Sequence, residues 1–221
     1  MASREELREQ KEKTSQALIQ SALELCAEEG YASLSLRSVA RKAGIAPTSF
    51  YRHFREIDEL GAAMVDQAKE LLDGCLEAAR KKMTFPAVKK NDAKHRMLKS
   101  IDCIVRPFTE TVIECFNENS RLLHLFFQEQ TGSSQTMRRA ISKAMDQLIK
   151  YLADTLKRIG KGSGFRLENS ELIAEAMLTI AGHSGLEMNA NPESDPRDIT
   201  ERAVQKLSFL LLGALMQEMS A

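Results

Sequence analysis

Thr48, Ser49 and Arg52 fall on one side of a stretch that reads as a short helix from Pro47 to Phe54, with Phe50 and Phe54 on the opposite side. Hydroxyls and a guanidinium on a narrow helical face match the edges of base pairs in a DNA major groove, where Thr and Ser approach closely and Arg pairs with guanine. Tyr51 and His53 sit on the two flanks, within reach of phosphates on either wall. The chemistry on offer is recognition by hydrogen bonds. No nucleophile-base-orienter set, metal-ligand spacing or cofactor loop appears in the chain, so an enzyme finds little support, and neither metal nor cofactor is expected.

A second short helix must hold this one in place. Leu36, Val39, Ala40 and Ala43 recur at i, i+3, i+4 and i+7, one apolar face of a helix, which turns Arg37, Ser38, Arg41 and Lys42 outward. Gly44 follows where a left-handed residue ends a helix, and Pro47 suits the first position of the next. Charge placement separates this segment from an ordinary hairpin with a solvated face. From Tyr31 to Arg55 there are five Lys or Arg and no Asp or Glu, while Glu24, Glu28, Glu29, Glu56, Asp58 and Glu59 crowd its ends. A chain of zero formal net charge has kept one window free of acid, as a phosphate-facing surface needs. The motif spans residues 35–54, and its candidate DNA contacts are Arg37, Ser38, Pro47, Thr48, Ser49, Tyr51, Arg52 and His53.

Composition sets the outer limits. With 221 residues, 43% hydrophobic and 28% charged, and only 11 Gly and 5 Pro, a helical globular chain of one large or two small domains is expected. The charged N-terminus shows no secretory leader, and the longest apolar run, Leu207 to Met216, is too short to span a bilayer, so a cytoplasmic protein is expected. Cys26, Cys75, Cys103 and Cys115 form no CxxC pair and read as buried reduced thiols. Cys103 and Cys115 share one expected helix about 18 Å apart and do not bridge to each other.

Along the chain helix follows helix, with no strand alternation. Leu18, Ala22, Leu25 and Cys26 mark a first helix from Lys11 to Glu29, with residues 1–10 a frayed end or an extension of it. A long helix is expected from Asp58 to Met83. Residues 84–96, rich in basic side chains, read as a surface connection or as a second nucleic-acid patch. Another long helix runs from Met97 to Phe116, where Pro107 predicts a bend. Arg121 to Gln128 is a short apolar helix, Thr131 to Ser134 breaks the pattern, and Met137 to Gly160 is amphipathic. The run at 160–164 reads as a flexible turn. Glu171 to Met188 and Asp198 to Met219 close the chain.

A three-helix reader of about fifty residues makes few contacts and is normally used twice, on a palindrome with half-sites about 34 Å apart. The last helix, apolar nearly all round through Leu207, Leu210, Leu211, Leu212 and Leu215, is the candidate for joining two copies; a central core helix is the alternative. Met97, Ile101, Phe108, Phe116, Phe126, Phe127, Met145 and Met177 read either as plain core or as the lining of an elongated apolar pocket, since thioethers and rings repack around a flexible ligand. A helical protein-interaction module would not need the acid-free basic window.

At these residues the chain resembles a family. AGIAPTSFYRHF, after a helix ending SVARK and before one beginning near DEL, resembles the recognition segment of TetR-type repressors. The longer stretch LSLRSVARKAGIAPTSFYRHFREIDELG, with EQTGSS and AEAMLTI further on, is similar to the FabR-type repressors of unsaturated fatty acid biosynthesis. The resemblance implies an all-α fold with an N-terminal helix-turn-helix domain, residues 1–57, and a C-terminal ligand-binding and dimerisation domain, residues 58–221. It implies a homodimeric regulator of fatty acid synthesis genes on palindromic double-stranded DNA, and an effector that is a long-chain acyl-CoA or acyl-carrier-protein thioester. His124, His183 and Arg106 are candidates to meet its head group, against a core His or a surface Arg. A TetR-type regulator of another hydrophobic effector, serving efflux or quorum sensing, is the alternative. The family often places a cap residue followed by Lys at the start of the long helix to hold phosphate; here those positions are Glu56 and Ile57.

Overall fold

The computed structural model describes residues 3–84, 93–163, 167–191 and 193–219, without the side chains of 93–98, 100, 162, 163, 218 and 219. The described residues are helical throughout apart from turns: α1 (Arg4–Glu29), α2 (Leu36–Lys42), α3 (Pro47–Phe50), α4 (Ile57–Lys82), α5 (Ala93–Glu118), α6 (Ser120–Gln128), α7 (Gln135–Ser163), α8 (Ser170–Ala190) and α9 (Pro196–Met219). Short 3-10 turns lie at Tyr31–Ser33 and Glu129–Thr131. The all-helical expectation holds.

Several ends differ from the periodicity, each for a local reason. The first helix starts at Arg4 because Ser3 and Glu6 form a reciprocal capping box, so the polar head extends the helix. The fifth begins at Ala93, inside the expected connection, and runs on past Pro107; the remainder of that connection, residues 85–92, lies outside the described residues. Helix α7 continues to Ser163 through Gly160 and Gly162, where a turn was expected. A glycine costs a helix only about 1 kcal/mol against Ala, less than tertiary packing supplies.

Two compact units emerge, one of Met1–Ala68 with Arg121–Ala144 and one of Lys69–Ser120 with Met145–Ala221. This differs from a division at residues 57 and 58, because α6 and the start of α7 join the N-terminal helices. Helices α4 and α7 contribute residues to both units. In the first unit α1, α2 and α3 pack around Leu18, Ala22, Tyr31, Val39, Ala40, Phe50 and Phe54, all buried. In the second, α5, α8 and α9 pack on one another around Ile104, Val105, Phe108, Ala174, Met177, Ala181, Ala203 and Leu207. Gly185 of α8 lies so close to the Phe116 ring that any Cβ would collide with it.

Candidate nucleic-acid interface

Helix α2 has seven residues and α3 four, too few to persist alone, so their ends are fixed by specific bonds. Ser35 caps α2: its Oγ accepts the Ser38 N–H at 3.1 Å, and Ser38 Oγ accepts the Ser35 N–H at 3.1 Å. At the other end Gly44, at φ +70°, donates to the Arg41 carbonyl at 3.1 Å and Ile45 to that of Ala40 at 3.0 Å. These two bonds form a Schellman motif, which needs a left-handed residue where Gly44 stands. The chain then re-enters a helix at Pro47, whose missing N–H costs nothing there.

Past Phe50 the backbone tightens, with the His53 N–H on the Phe50 carbonyl at 2.8 Å and the Phe54 N–H on the same carbonyl at 3.0 Å. That winding keeps Phe50 and Phe54 on one face, their rings 5.8 Å apart and both buried. Thr48, Tyr51 and Arg52 are thereby exposed and Ser49 is half-buried. Arg37 and Pro47 are exposed as well. Ser38 is half-buried, its hydroxyl also donating to the Ser35 carbonyl at 2.8 Å. His53 is half-buried too, with Nδ1 enclosed and unpartnered; burial first, then the charges of Lys11 and Arg52, hold its pKa below the ordinary imidazole value.

The basic window divides into two kinds of cation. Lys42 turns back onto α1 and pairs with Glu24 at 3.5 Å and Glu28 at 3.2 Å. Arg37, Arg41, Arg52 and Arg55 are exposed and make no ion pair among the described residues. Two of the acids that bracket the window in sequence therefore neutralise one of its five cations, which spacing along the chain did not reveal. At the start of α4, Glu59 accepts the Arg55 backbone N–H at 2.6 Å. A carboxylate of this protein thus occupies the helix end where the resemblance to TetR-type repressors implies a phosphate-holding cap.

Behind the reader the same unit holds a polar joint. Asp58 Oδ1 accepts from the Tyr31 hydroxyl at 3.4 Å and from the Ser134 hydroxyl at 3.3 Å, and Ser134 Oγ in turn caps α7 by accepting the Met137 N–H at 3.2 Å. Burial, followed by the Asp58 charge and bond, pushes the Tyr31 phenol well above its usual range. Gly61 lies directly beneath the Tyr31 hydroxyl and the Met137 sulfur. In EQTGSS, Glu129 is buried and its carboxyl is pushed up by desolvation; Gly132 leaves room for that carboxyl, and Arg138 Nη1 donates to the Gly132 and Ser133 carbonyls at 2.5 and 2.9 Å. Cys26 beside it is pushed up to about 12 by burial and by the Glu129 charge.

The eight pocket candidates do not fall in one unit. Phe126 and Phe127 belong to the first, their rings 5.3 Å apart edge to face. Ile101, Phe108, Phe116, Met145 and Met177 belong to the second, all buried except the half-buried Met145. The side chain of Met97 lies outside the described residues. Of the head-group candidates, Arg106 is held by Glu201 at 2.6 Å and Asp102 at 3.3 Å, His183 is exposed, and His124 is half-buried with Nδ1 unpartnered. Among the described residues no three His, Cys, Asp or Glu gather to hold a metal ion, and no helix is long and apolar enough to cross a membrane.

Fold and surface give the N-terminal helices the form of a helix-turn-helix DNA-binding domain. Residues 18–64 match the family described as bacterial regulatory proteins, tetR family. Over those residues the chain carries an N-terminal DNA-binding domain of that family's type. Its fold is shared by the fatty acid degradation regulator FadR of Bacillus halodurans, with 18% identity over 91% of this chain and 96% of that one and a TM-score of 0.63. It is shared too by the FadR repressor of Thermus thermophilus, solved with lauroyl-CoA, at 20% identity over 91% and 94% with a TM-score of 0.58. A transcriptional regulator from Aquifex aeolicus VF5 matches at 15% identity over 89% and 99%, with a TM-score of 0.66.

Proposed function

We propose that this regulator works as a homodimeric repressor on a palindromic operator near fatty acid synthesis genes, and that a long-chain acyl thioester bound among the helices of its second unit alters operator affinity. The observation that carries the DNA-facing part is the division of the α3 segment into a buried Phe50–Phe54 face and an exposed face bearing Thr48 and Arg52, with no carboxylate paired to Arg52 among the described residues. Arg37, Ser38, Pro47, Ser49, Tyr51 and His53 complete the contact set, with bases read by Thr48, Ser49 and Arg52 and phosphates by the flanks.

The lipid part is supported by the apolar helices of the second unit and by the lauroyl-CoA carried by the Thermus relative. Fully buried Phe108, Phe116 and Met177 supply rings and a thioether of the kind that repack around an acyl chain. Exposed Phe209 and Met216 on α9 favour a second copy of the chain covering that helix. Coupling runs along α4, the continuous helix that contributes to both units, and changes the separation of two recognition helices whose spacing the DNA fixes. The test is a duplex selected by the protein from a random pool, titrated with oleoyl-CoA, palmitoyl-CoA and acetyl-CoA. Long-chain thioesters change operator affinity and acetyl-CoA does not. If neither oleoyl-CoA nor palmitoyl-CoA has any effect, the lipid reading fails while DNA binding stands.

A further inference from the structure

Two of the four cysteines, forty positions apart, meet in the second unit. Cys75 of α4 places its Sγ 3.4 Å from the carbonyl oxygen of Thr111 in α5. In an α-helix that oxygen is the acceptor for the amide of the residue four positions on, which here is Cys115. The Cys75 thiol donates to that oxygen, so its sulfur lies against the backbone turn that carries Cys115. Both residues are buried, at 7% exposure each.

We propose that Cys75 and Cys115 are a modification site, a dithiol that a peroxide oxidises to a disulfide bridging α4 and α5. The surroundings supply what the chemistry needs. Thiol–disulfide chemistry begins from a thiolate, and the neighbouring Cys75 thiol holds the Cys115 thiol below its ordinary value while Cys115 and burial push Cys75 up. Of the two sulfurs, Cys115 is thus the one biased toward the thiolate. Lys82 adds a cation nearby, its Nζ 3.1 Å from Thr111 Oγ1 and 3.9 Å from Glu114, which partly offsets it.

The Cys115 thiolate attacks one peroxide oxygen, the O–O bond breaks, and the departing hydroxide takes a proton to leave as water, which gives the sulfenic acid. The Cys75 sulfur then attacks that sulfenic sulfur, the S–O bond breaks, and the hydroxyl leaves as a second water with the Cys75 proton. Two thiols lose one electron each and one hydrogen peroxide gains two. The sulfurs must close to about 2.05 Å to form the bridge. The remaining cysteines, Cys26 and Cys103, are half-buried in other surroundings and are not part of the pair.

The experiment treats the reduced full-length protein with hydrogen peroxide, quenches with catalase, alkylates under denaturing conditions and maps the peptides by mass spectrometry. The expected product has lost two hydrogens, carries Cys75 and Cys115 in one linked pair of peptides, and returns to two alkylated thiols after dithiothreitol. In Cys75→Ser, a sulfenic acid at Cys115 is trapped by dimedone. Cys75 and Cys115 both remaining free at a peroxide excess that oxidises the denatured chain would overturn the assignment. So would a product in which either bridges to Cys26 or Cys103. The wild-type map decides the matter even where a variant does not fold.

Discussion

The two kinds of cation in the basic window predict different losses when each is removed. Arg52 is exposed, unpaired among the described residues, and projects from the face opposite Phe50 and Phe54. Replacing it by Ala removes a direct base or phosphate contact and weakens operator binding by roughly 1–3 kcal/mol, about 5- to 150-fold. Lys42 is held by Glu24 and Glu28 at 3.5 and 3.2 Å, and its side chain is only 34% exposed. Its charge then acts on DNA only at a distance, where a unit charge about 10 Å from a phosphate is worth roughly 0.4 kcal/mol in water and about a third of that at physiological salt. Lys42→Ala therefore weakens binding by no more than about twofold, by this Coulomb estimate. Fluorescence anisotropy on the selected duplex, at several salt concentrations between about 50 and 200 mM, measures both variants. Equal losses, or an Arg52→Ala variant that binds like wild type, would refute the assignment of the exposed face to DNA.

Three further outcomes test the frame behind that face. Phe50→Ala leaves a cavity at a fully buried site and lowers unfolding free energy by about 3–5 kcal/mol, read by urea denaturation. Gly185→Ala drives a methyl into the Phe116 ring and costs about 1–3 kcal/mol by the same measure, unless helix α8 shifts. Glu129 has a folded-state pKa raised above its unfolded value by burial, so its ionisation opposes folding once pH exceeds the unfolded value. Glu129→Gln accordingly raises the melting temperature at pH 7 and brings no gain at pH 4, where the wild-type carboxyl is already neutral in the fold; a loss at pH 7 would mean that the carboxylate has a cationic partner.

Much of the frame was legible because it is local. The i, i+3, i+4 recurrence in α2, Gly44 and Pro47 reports backbone preference and one buried face, and both survive in the fold. Where packing outweighs propensity the pattern falls short, as at Gly160 and Gly162, which α7 passes through. The Ser3 to Glu6 spacing was a readable cap whose polar surroundings look like a frayed end. Contacts between distant positions left no mark on periodicity. Nothing in the order of residues says that Glu24 and Glu28 fold back onto Lys42, that Ser134 meets Asp58, or that Cys75 meets the Thr111 carbonyl one turn before Cys115. The exposed and buried faces of the α3 segment could be read from angle alone, whereas the grouping of the pocket candidates by unit required the tertiary fold.

Helix α4 carries two glycines that evolution and engineering should treat in opposite ways. Gly61 leaves just enough room for the Tyr31 hydroxyl and the Met137 thioether, whereas a Cβ at Gly74 meets nothing within 4 Å. A saturation library scored for folded protein should return glycine alone at 61, because any larger residue levers Tyr31 off Asp58 and pries the joint open. At 74 it should accept nearly every residue but proline, with alanine the most stable by up to about 1 kcal/mol.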